Sequence, residues 1–300
     1  MSAPGAAPPA HPLFGAGGNL RRRRRVNRFV EASSTVAAVL AVAVLVIVVG
    51  SVFTKGVGAL SLDFLTKSTA LFGESGGGIA NALIGTGIMV GLAALMSVPV
   101  GLLVAVYTTE FAPPRIADGV RFALDVLNGV PTIITGIFVV GLIVIPQGHQ
   151  SGTAGAIALA IIMLPIVART AQEVLELVPG TLKEASYALG VTRWRTVLRV
   201  VLPTAAGGLL TGALLAVARV AGETAPILLT SSIFTEGVIS TDPSQALASV
   251  PFFIFRSSES PNPEAHTQAW AAALILIGFV LLLNVIARAI YSRSRRRMET

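Results

Sequence analysis

The segment Ser34–Phe53, STVAAVLAVAVLVIVVGSVF, decides the fold class of this chain. It contains an uninterrupted apolar run from Val36 to Val49, and its length is the roughly 20 residues that a helix needs to cross the hydrocarbon core of a bilayer. Because that core offers no water, the backbone polar groups must bond within the segment, which favours a helix. No Ala-x-Ala cleavage site follows the run, so we interpret it as an uncleaved span rather than as a signal peptide.

Composition extends this interpretation to the whole chain. Hydrophobic residues make up 53% of the 300 positions and charged residues only 12%, too few to cover a soluble domain of this length. The net charge of +7 comes from short Lys and Arg clusters beside apolar runs, a pattern that argues against nucleic-acid binding. The absence of cysteine excludes disulfides and thiolate chemistry, and we expect neither a cofactor nor a bound metal.

Five further segments are apolar and long enough to be spans, which predicts an all-α membrane protein with six transmembrane helices. They are 79–107, 122–145, 153–170, 204–231 and 268–290. We predict a disordered cytoplasmic tail with an arginine cluster over residues 1–33, followed by a transmembrane domain over 34–300. Most of the 22 Lys and Arg residues then fall on the side of the N-terminus, which predicts a multi-pass protein of the cell membrane with both termini cytoplasmic.

The longest connection on that side, residues 172–203, is patterned as a helix rather than as a linker. Thr181 and Glu184 have the Thr-x-x-Glu spacing of a capping box, and Gly190 is suited to end a helix in the left-handed conformation. One face of the predicted helix collects the apolar residues Leu182, Ala185, Ala188 and Leu189. Two interpretations fit such a face: it rests on the protein's own helix ends or on lipid headgroups, or it fills a groove on a cytoplasmic partner.

Two charged residues, Arg219 and Glu223, lie in the middle of the fifth predicted span. A charge at the membrane centre costs on the order of 2.5 to 3.5 kcal/mol on insertion scales. At a spacing of four residues, the two side chains share one face of a continuous helix and can form an ion pair. A pair that only neutralises itself gains little over apolar side chains, so we favour a role in anion passage.

In that role the planar guanidinium of Arg219 would bind a tetrahedral oxyanion. Glu223 would hold Arg219 in place while the path is empty. As a further hypothesis, the Glu223 carboxylate would accept a proton from hydrogenphosphate, which sulfate does not offer.

Two motif regions carry a resemblance to a known family. The loop pattern Glu-Ala-Ser from Glu184, three residues, Gly190, nine residues and Val-x-Leu-Pro from Val200 is similar to the signature loop of bacterial ABC importer permeases. With Pro165–Thr170 and Gly222–Pro226, the chain from about residue 71 to residue 290 resembles the phosphate-specific ABC importer permeases, closest to their A-type subunit.

The resemblance implies the ABC importer type I permease fold and the import of inorganic phosphate. The chain would have no enzymatic activity of its own, consistent with the absence of a phosphate-cradling Gly-x-x-x-x-Gly-Lys-[Ser/Thr] loop. Implied partners are ABC ATPase subunits, a second and related permease chain, an extracytoplasmic phosphate-binding protein and membrane lipid.

The same resemblance implies which residues function. Arg219, Glu223 and Arg169 would line the substrate pathway, although the position of Arg169 at a span end also fits the positive-inside rule. The ATPase would dock on Thr181, Leu182, Glu184, Ala185, Ser186, Ala188, Leu189 and Gly190.

Three alternatives stay open. The permease could carry another oxyanion, such as sulfate or molybdate, because an arginine alone does not choose among them. An ion-coupled secondary transporter would also use a membrane-embedded Arg and Glu, but such folds usually show inverted repeats. A membrane-bound enzyme is disfavoured because no His, Cys or second central carboxylate accompanies Glu223.

Overall fold

The computed structural model describes residues 20–70, 76–231, 237 and 239–299. The chain forms two compact units, Met1–Ser51 and Val52–Thr300. Helix α1, Leu20–Gly56, begins in the first unit. Residues 20–33, which we expected to be disordered, are therefore helical; arginine is a good helix former and the apolar span continues the same helix. Residues 1–19 of the expected tail lie outside the described residues, and a transmembrane domain over 34–300 stays a prediction.

The described part of the second unit is largely helical. Its helices are α2 Leu62–Thr66, α3 Ala80–Val106, α4 Pro114–Gly129, α5 Thr132–Val139, α6 Ile145–Gln147, α7 Gly152–Glu176, α8 Gly180–Ala188, α9 Arg193–Thr196, α10 Leu202–Val220, α11 Ala225–Thr230, α12 Val250–Glu259 and α13 Pro263–Glu299. Three π-helical turns, Tyr107–Phe111, Val140–Val144 and Val197–Val201, directly follow α3, α5 and α9. No strand occurs in the described ranges, which confirms the all-α prediction.

Five helical segments of the described chain are long and apolar enough to cross a membrane. They are Arg22–Ala59, Ala80–Phe111, Gly152–Glu176, Arg193–Val220 and Pro263–Ser292. A sixth span exists only if Pro114–Gly129 and Thr132–Gln147 are counted together, and these meet at an angle of 94°. The prediction of one continuous helix over 122–145 is therefore wrong, although the two helices together can still form one span. Val130 is extended (φ −69°, ψ 127°), as expected for the residue before Pro131, and this breaks the helix.

The centre of the second unit is α7, which packs against α3 and α10 through small residues. A Cβ atom on Gly101 of α3 would lie 2.9 Å from Val167 Cγ1. On α10, a Cβ on Gly208 would lie 2.6 Å from Val174 Cγ1, and one on Gly212 would lie 3.0 Å from Thr170 Oγ1. Small residues let membrane helices approach closely. These contacts fix α10 antiparallel to α7 in a single register.

Candidate functional site

The fifth predicted span is broken between its two charged residues. Helix α10 ends at Val220 and α11 begins at Ala225, so Arg219 lies in the last turn of one helix and Glu223 in the connection to the next. Pro226 cannot donate a hydrogen bond to the carbonyl of Gly222, and its ring would clash with that carbonyl in a continuous helix. The prediction of one helix over 204–231 with Arg219 and Glu223 on a shared face is wrong. Among the described residues, the structure shows no ion pair between them.

Arg219 lies at the mid-height of the bundle, on its outer surface. The register set by Gly208 opposite Val174 and Gly212 opposite Thr170 continues to Met163 opposite Arg219, near the middle of α7. On α10, Ala216 and Val220 are fully buried in the same core cluster as Met163. Arg219 faces away from that cluster and is exposed, and Glu223 is half-buried. The guanidinium is therefore on a face of α10 that the described residues leave uncovered.

Helix α11 holds the far side of the break firmly in place. A Cβ on Gly136 of α5 would lie 2.9 Å from Pro226 Cα, so the two helices touch at the backbone. The Thr230 carbonyl accepts a hydrogen bond from the Ser151 amide at 3.1 Å. Ser231 Oγ donates to the Leu247 carbonyl at 3.1 Å and accepts from the Leu247 amide at 3.0 Å. The residues between α10 and α11 are thus carried by a fixed frame rather than by a free loop.

The structure does not bring Arg169 to Arg219. Arg169 lies on α7 nearer to the end of the bundle that carries α8, and its Nε is 3.0 Å from Asp125 Oδ1 of α4. Its Nη1 donates to Gln172 Oε1 at 3.2 Å, and Gln172 Nε2 donates to Thr108 Oγ1 at 2.7 Å. Asp125 and Gln172 were missed in the sequence analysis. One sequence feature could have indicated Asp125: it is a lone carboxylate near the start of an apolar segment.

Helix α8 presents an apolar surface, as the sequence predicts. Seven of the eight residues expected to bind the ATPase are exposed: Thr181, Leu182, Glu184, Ala185, Ala188, Leu189 and Gly190. The exposed fraction is 41% for Leu182 and 84% for Leu189. Gly190 has a φ of +74° and its amide donates to the Tyr187 carbonyl at 2.9 Å, which confirms the predicted left-handed helix end.

Two details of α8 differ from the expectation. The helix begins at Gly180 after Pro179, so Thr181 lies inside the first turn and no side-chain cap forms. The predicted capping box is therefore wrong, because the fixed φ of proline starts the helix earlier. Ser186, expected to face a partner, is buried and its hydroxyl is 2.8 Å from Thr196 Oγ1 of α9. In this structure Ser186 holds α8 against α9.

Comparison with known proteins identifies the class of the chain. A family model described as a binding-protein-dependent transport system inner membrane component matches residues 97–300. Over 274 residues, the chain is 39% identical to the phosphate transport system permease protein PstA of Yersinia pestis, covering 91% of this chain and 92% of the relative. It is 42% identical over 224 residues to PstA 1 of Mycobacterium tuberculosis, covering 74% of this chain and 73% of the relative.

Solved structures share the fold at lower sequence identity. A chain of a bacterial alginate ABC transporter superposes with a TM-score of 0.59 at 15% identity, covering 91% of this chain and 98% of that one. A chain of the MetNI methionine ABC transporter superposes with a TM-score of 0.56 at 19% identity, covering 72% of this chain and 94% of that one. These likenesses confirm the predicted ABC importer permease fold.

The chain therefore belongs to the family of binding-protein-dependent transport system inner membrane components. Within that family, its relatives at 39% and 42% identity are phosphate transport system permease proteins of the PstA type. The predicted resemblance is confirmed.

Proposed function

We propose that this chain is the permease subunit of an ATP-driven importer that moves inorganic phosphate into the cytoplasm. The observation that carries the proposal is the exposed guanidinium of Arg219 at the mid-height of an apolar bundle. A charge facing lipid at that depth costs at least about 2.5 kcal/mol. The face of α10 that carries Arg219 must therefore line a polar path or contact another protein. The likeness to phosphate permeases over 91% of the chain supports phosphate as the anion.

The geometry supports recognition by Arg219 without a resident counter-ion. The described residues place no carboxylate in an ion pair with it, so its planar fork of donors is available for a tetrahedral oxyanion. Glu223, three residues beyond the end of α10, is proposed to accept a hydrogen bond from the hydroxyl of the bound hydrogenphosphate, which sulfate does not offer. Arg169, at the α8 end of the path, is proposed as a second anion contact.

The proposed partners follow from the exposed faces of the chain. A second, related permease chain would cover the Arg219 face and enclose the path between the two chains. An ATPase subunit would bind the apolar surface of α8, and a phosphate-binding protein would deliver the anion at the opposite end. The α8 end of the bundle carries the exposed Arg193, Arg195 and Arg199, so we place that end in the cytoplasm. By the same positive-inside rule, we place both termini of the chain in the cytoplasm.

The proposal is tested by reconstituting the complete transporter with this chain and measuring uptake of labelled phosphate. We expect uptake that requires ATP and is not displaced by sulfate or molybdate in excess. Displacement by sulfate or molybdate would instead support a permease for another oxyanion. Phosphate uptake that persists without any ATPase subunit would support an ion-coupled secondary transporter.

A second measurement tests the proposed role of Arg169. Changing Asp125→Asn removes the carboxylate that competes with phosphate for Arg169, so we expect phosphate to be held more tightly and released more slowly. Because this ion pair is partly exposed and such a pair contributes on the order of 0.2 to 1 kcal/mol, we expect both the half-saturating phosphate concentration and the maximal uptake rate to fall, by up to roughly fivefold.

The matched control for Asp125→Asn is Glu176→Gln. Arg121 Nη2 lies 2.5 Å from Glu176 Oε1, so this change breaks the other ion pair between the same two helices, α4 and α7, without touching Arg169. We expect the half-saturating concentration to be unchanged in this variant. Equal effects of the two variants would mean that Asp125 only fastens α4 to α7.

A further inference from the structure

An ion pair with a buried carboxylate joins α8, the proposed ATPase-docking helix, to the turn that follows α3. Lys183 Nζ lies 2.5 Å from Glu110 Oε1, and the exposed fractions of the two side chains are 23% and 4%. In each of the other ion pairs of the described residues, at least one side chain is more than half exposed. Exposed pairs contribute little to stability. A buried pair is weakly screened, and separating its partners is costly.

Glu110 occupies a turn where several elements meet. The π-helical turn Tyr107–Phe111 continues α3, and π-helical turns inside longer helices occur frequently at functional sites. Two residues before Glu110, Thr108 accepts the hydrogen bond from Gln172 of α7 at 2.7 Å. One residue after it, the Phe111 ring lies 5.5 Å from the guanidinium carbon of Arg193 in α9. This short turn therefore contacts α7, α8 and α9.

A series of polar contacts, joined between Glu110 and Thr108 by the backbone of their shared turn, runs from α8 to the candidate pathway residue Arg169. Lys183 binds Glu110, the same turn binds Gln172 through Thr108, and Gln172 Oε1 accepts from Arg169 Nη1 at 3.2 Å. The other side-chain bond of α8 described in the structure, Ser186 to Thr196, fastens it only to the neighbouring α9. The Lys183–Glu110 pair thus ties α8 to the long helices of the bundle.

Resting on the proposed function, we propose that the Lys183–Glu110 pair is the mechanical link that passes the movement of α8 to α3 and α7. When the ATPase displaces α8, the paired charges move together, because separating them would leave a buried, unpaired carboxylate. The turn after α3 then shifts with α8. Through Gln172, the shift reaches Arg169 and changes its contact with the anion. Lys183 and Glu110 are positioning residues in this scheme, since neither contacts the substrate.

The competing explanation is that the pair only stabilises the fold. Removing one partner leaves a buried charge and is destabilising, whereas replacing both by uncharged groups of similar size is often neutral. The double variant Lys183→Met with Glu110→Gln therefore separates the two explanations. It removes the ionic link without leaving an unpaired charge.

The experiment uses the complete transporter in proteoliposomes and measures three quantities: the ATPase bound to this chain, the rate of ATP hydrolysis, and phosphate imported per ATP hydrolysed. For the double variant we expect normal amounts of bound ATPase and continued hydrolysis. We expect phosphate imported per ATP to fall by about tenfold, within the range by which single side chains alter coupling in packed networks. The charge-reversed double variant, Lys183→Glu with Glu110→Lys, is expected to recover most of the coupling.

The matched control is the exposed pair Lys67–Asp63 in the α2 region, with side chains 61% and 72% exposed. Changing Lys67→Met with Asp63→Asn should leave all three quantities unchanged. Normal coupling in the uncharged Lys183 and Glu110 double variant would overturn the link, as would loss of the bound ATPase. If the unaltered transporter already hydrolyses ATP without importing phosphate, the proposed function itself fails; this outcome is distinct because it is measured before any residue is changed.

Discussion

Changing Arg219→Lys is expected to abolish most phosphate uptake, although the positive charge is kept. Lysine offers a single ammonium group in place of the planar fork that binds two oxygens of an oxyanion at once. Hydrogen bonds to charged groups contribute about 1.5 to 3 kcal/mol each. The loss of one such bond in the transport path lowers uptake by roughly 10-fold to 100-fold. Labelled phosphate uptake in cells that carry only the variant chain measures the effect.

The control for this change is Arg199→Lys. Arg199 is exposed in the π-helical turn that leads into α10, at the α8 end of the same helical segment. A lysine serves equally well where only a positive charge near the membrane surface is needed, so uptake should stay within about twofold of the unaltered chain. If Arg219→Lys transports phosphate as well as Arg199→Lys does, Arg219 does not recognise the anion through its fork.

The positions of most membrane spans could be predicted because the bilayer requires each span to be long and apolar. A helix that crosses a bilayer needs a long apolar segment, and such segments are visible in the sequence without any knowledge of tertiary contacts. The two predicted spans that are not single continuous helices share a cause. Hydrophobicity averaged over a window does not register a short break, and Pro131 and Pro226 each stand beside one. The chemistry of proline was readable at both positions.

The polar contacts between helices could not be predicted in the same way. Glu110 and Lys183 are separated by 73 positions in the sequence, and Thr108 and Gln172 by 64. No local pattern connects such pairs, because the packing of α3 against α7 brings them together. The sequence did indicate Arg219, since a charge inside an apolar segment is conspicuous by itself. The exposure of Arg219, on a face of α10 that no described residue covers, became visible only in the structure.

Changing Leu189→Lys is expected to separate this chain from its ATPase while leaving the chain itself folded. Leu189 is 84% exposed at the end of α8, so the fold loses little when the side chain changes. A lysine there is compatible with the helix dipole, which favours positive charge near a helix C-terminus. In an apolar groove on the ATPase, however, the ammonium group would lose its water without gaining a partner.

A side chain at the centre of an interface contributes about 2 kcal/mol or more, so we expect affinity for the ATPase to fall by roughly thirtyfold. Copurification of the ATPase with the tagged chain measures this loss, and phosphate uptake should fall with it. The control is Leu62→Lys in α2, a leucine with a similar exposed fraction of 79%. It lies far from α8 in sequence and should retain the ATPase. Full copurification with Leu189→Lys would show that the ATPase binds elsewhere, because a buried ammonium at the docking surface would weaken the complex.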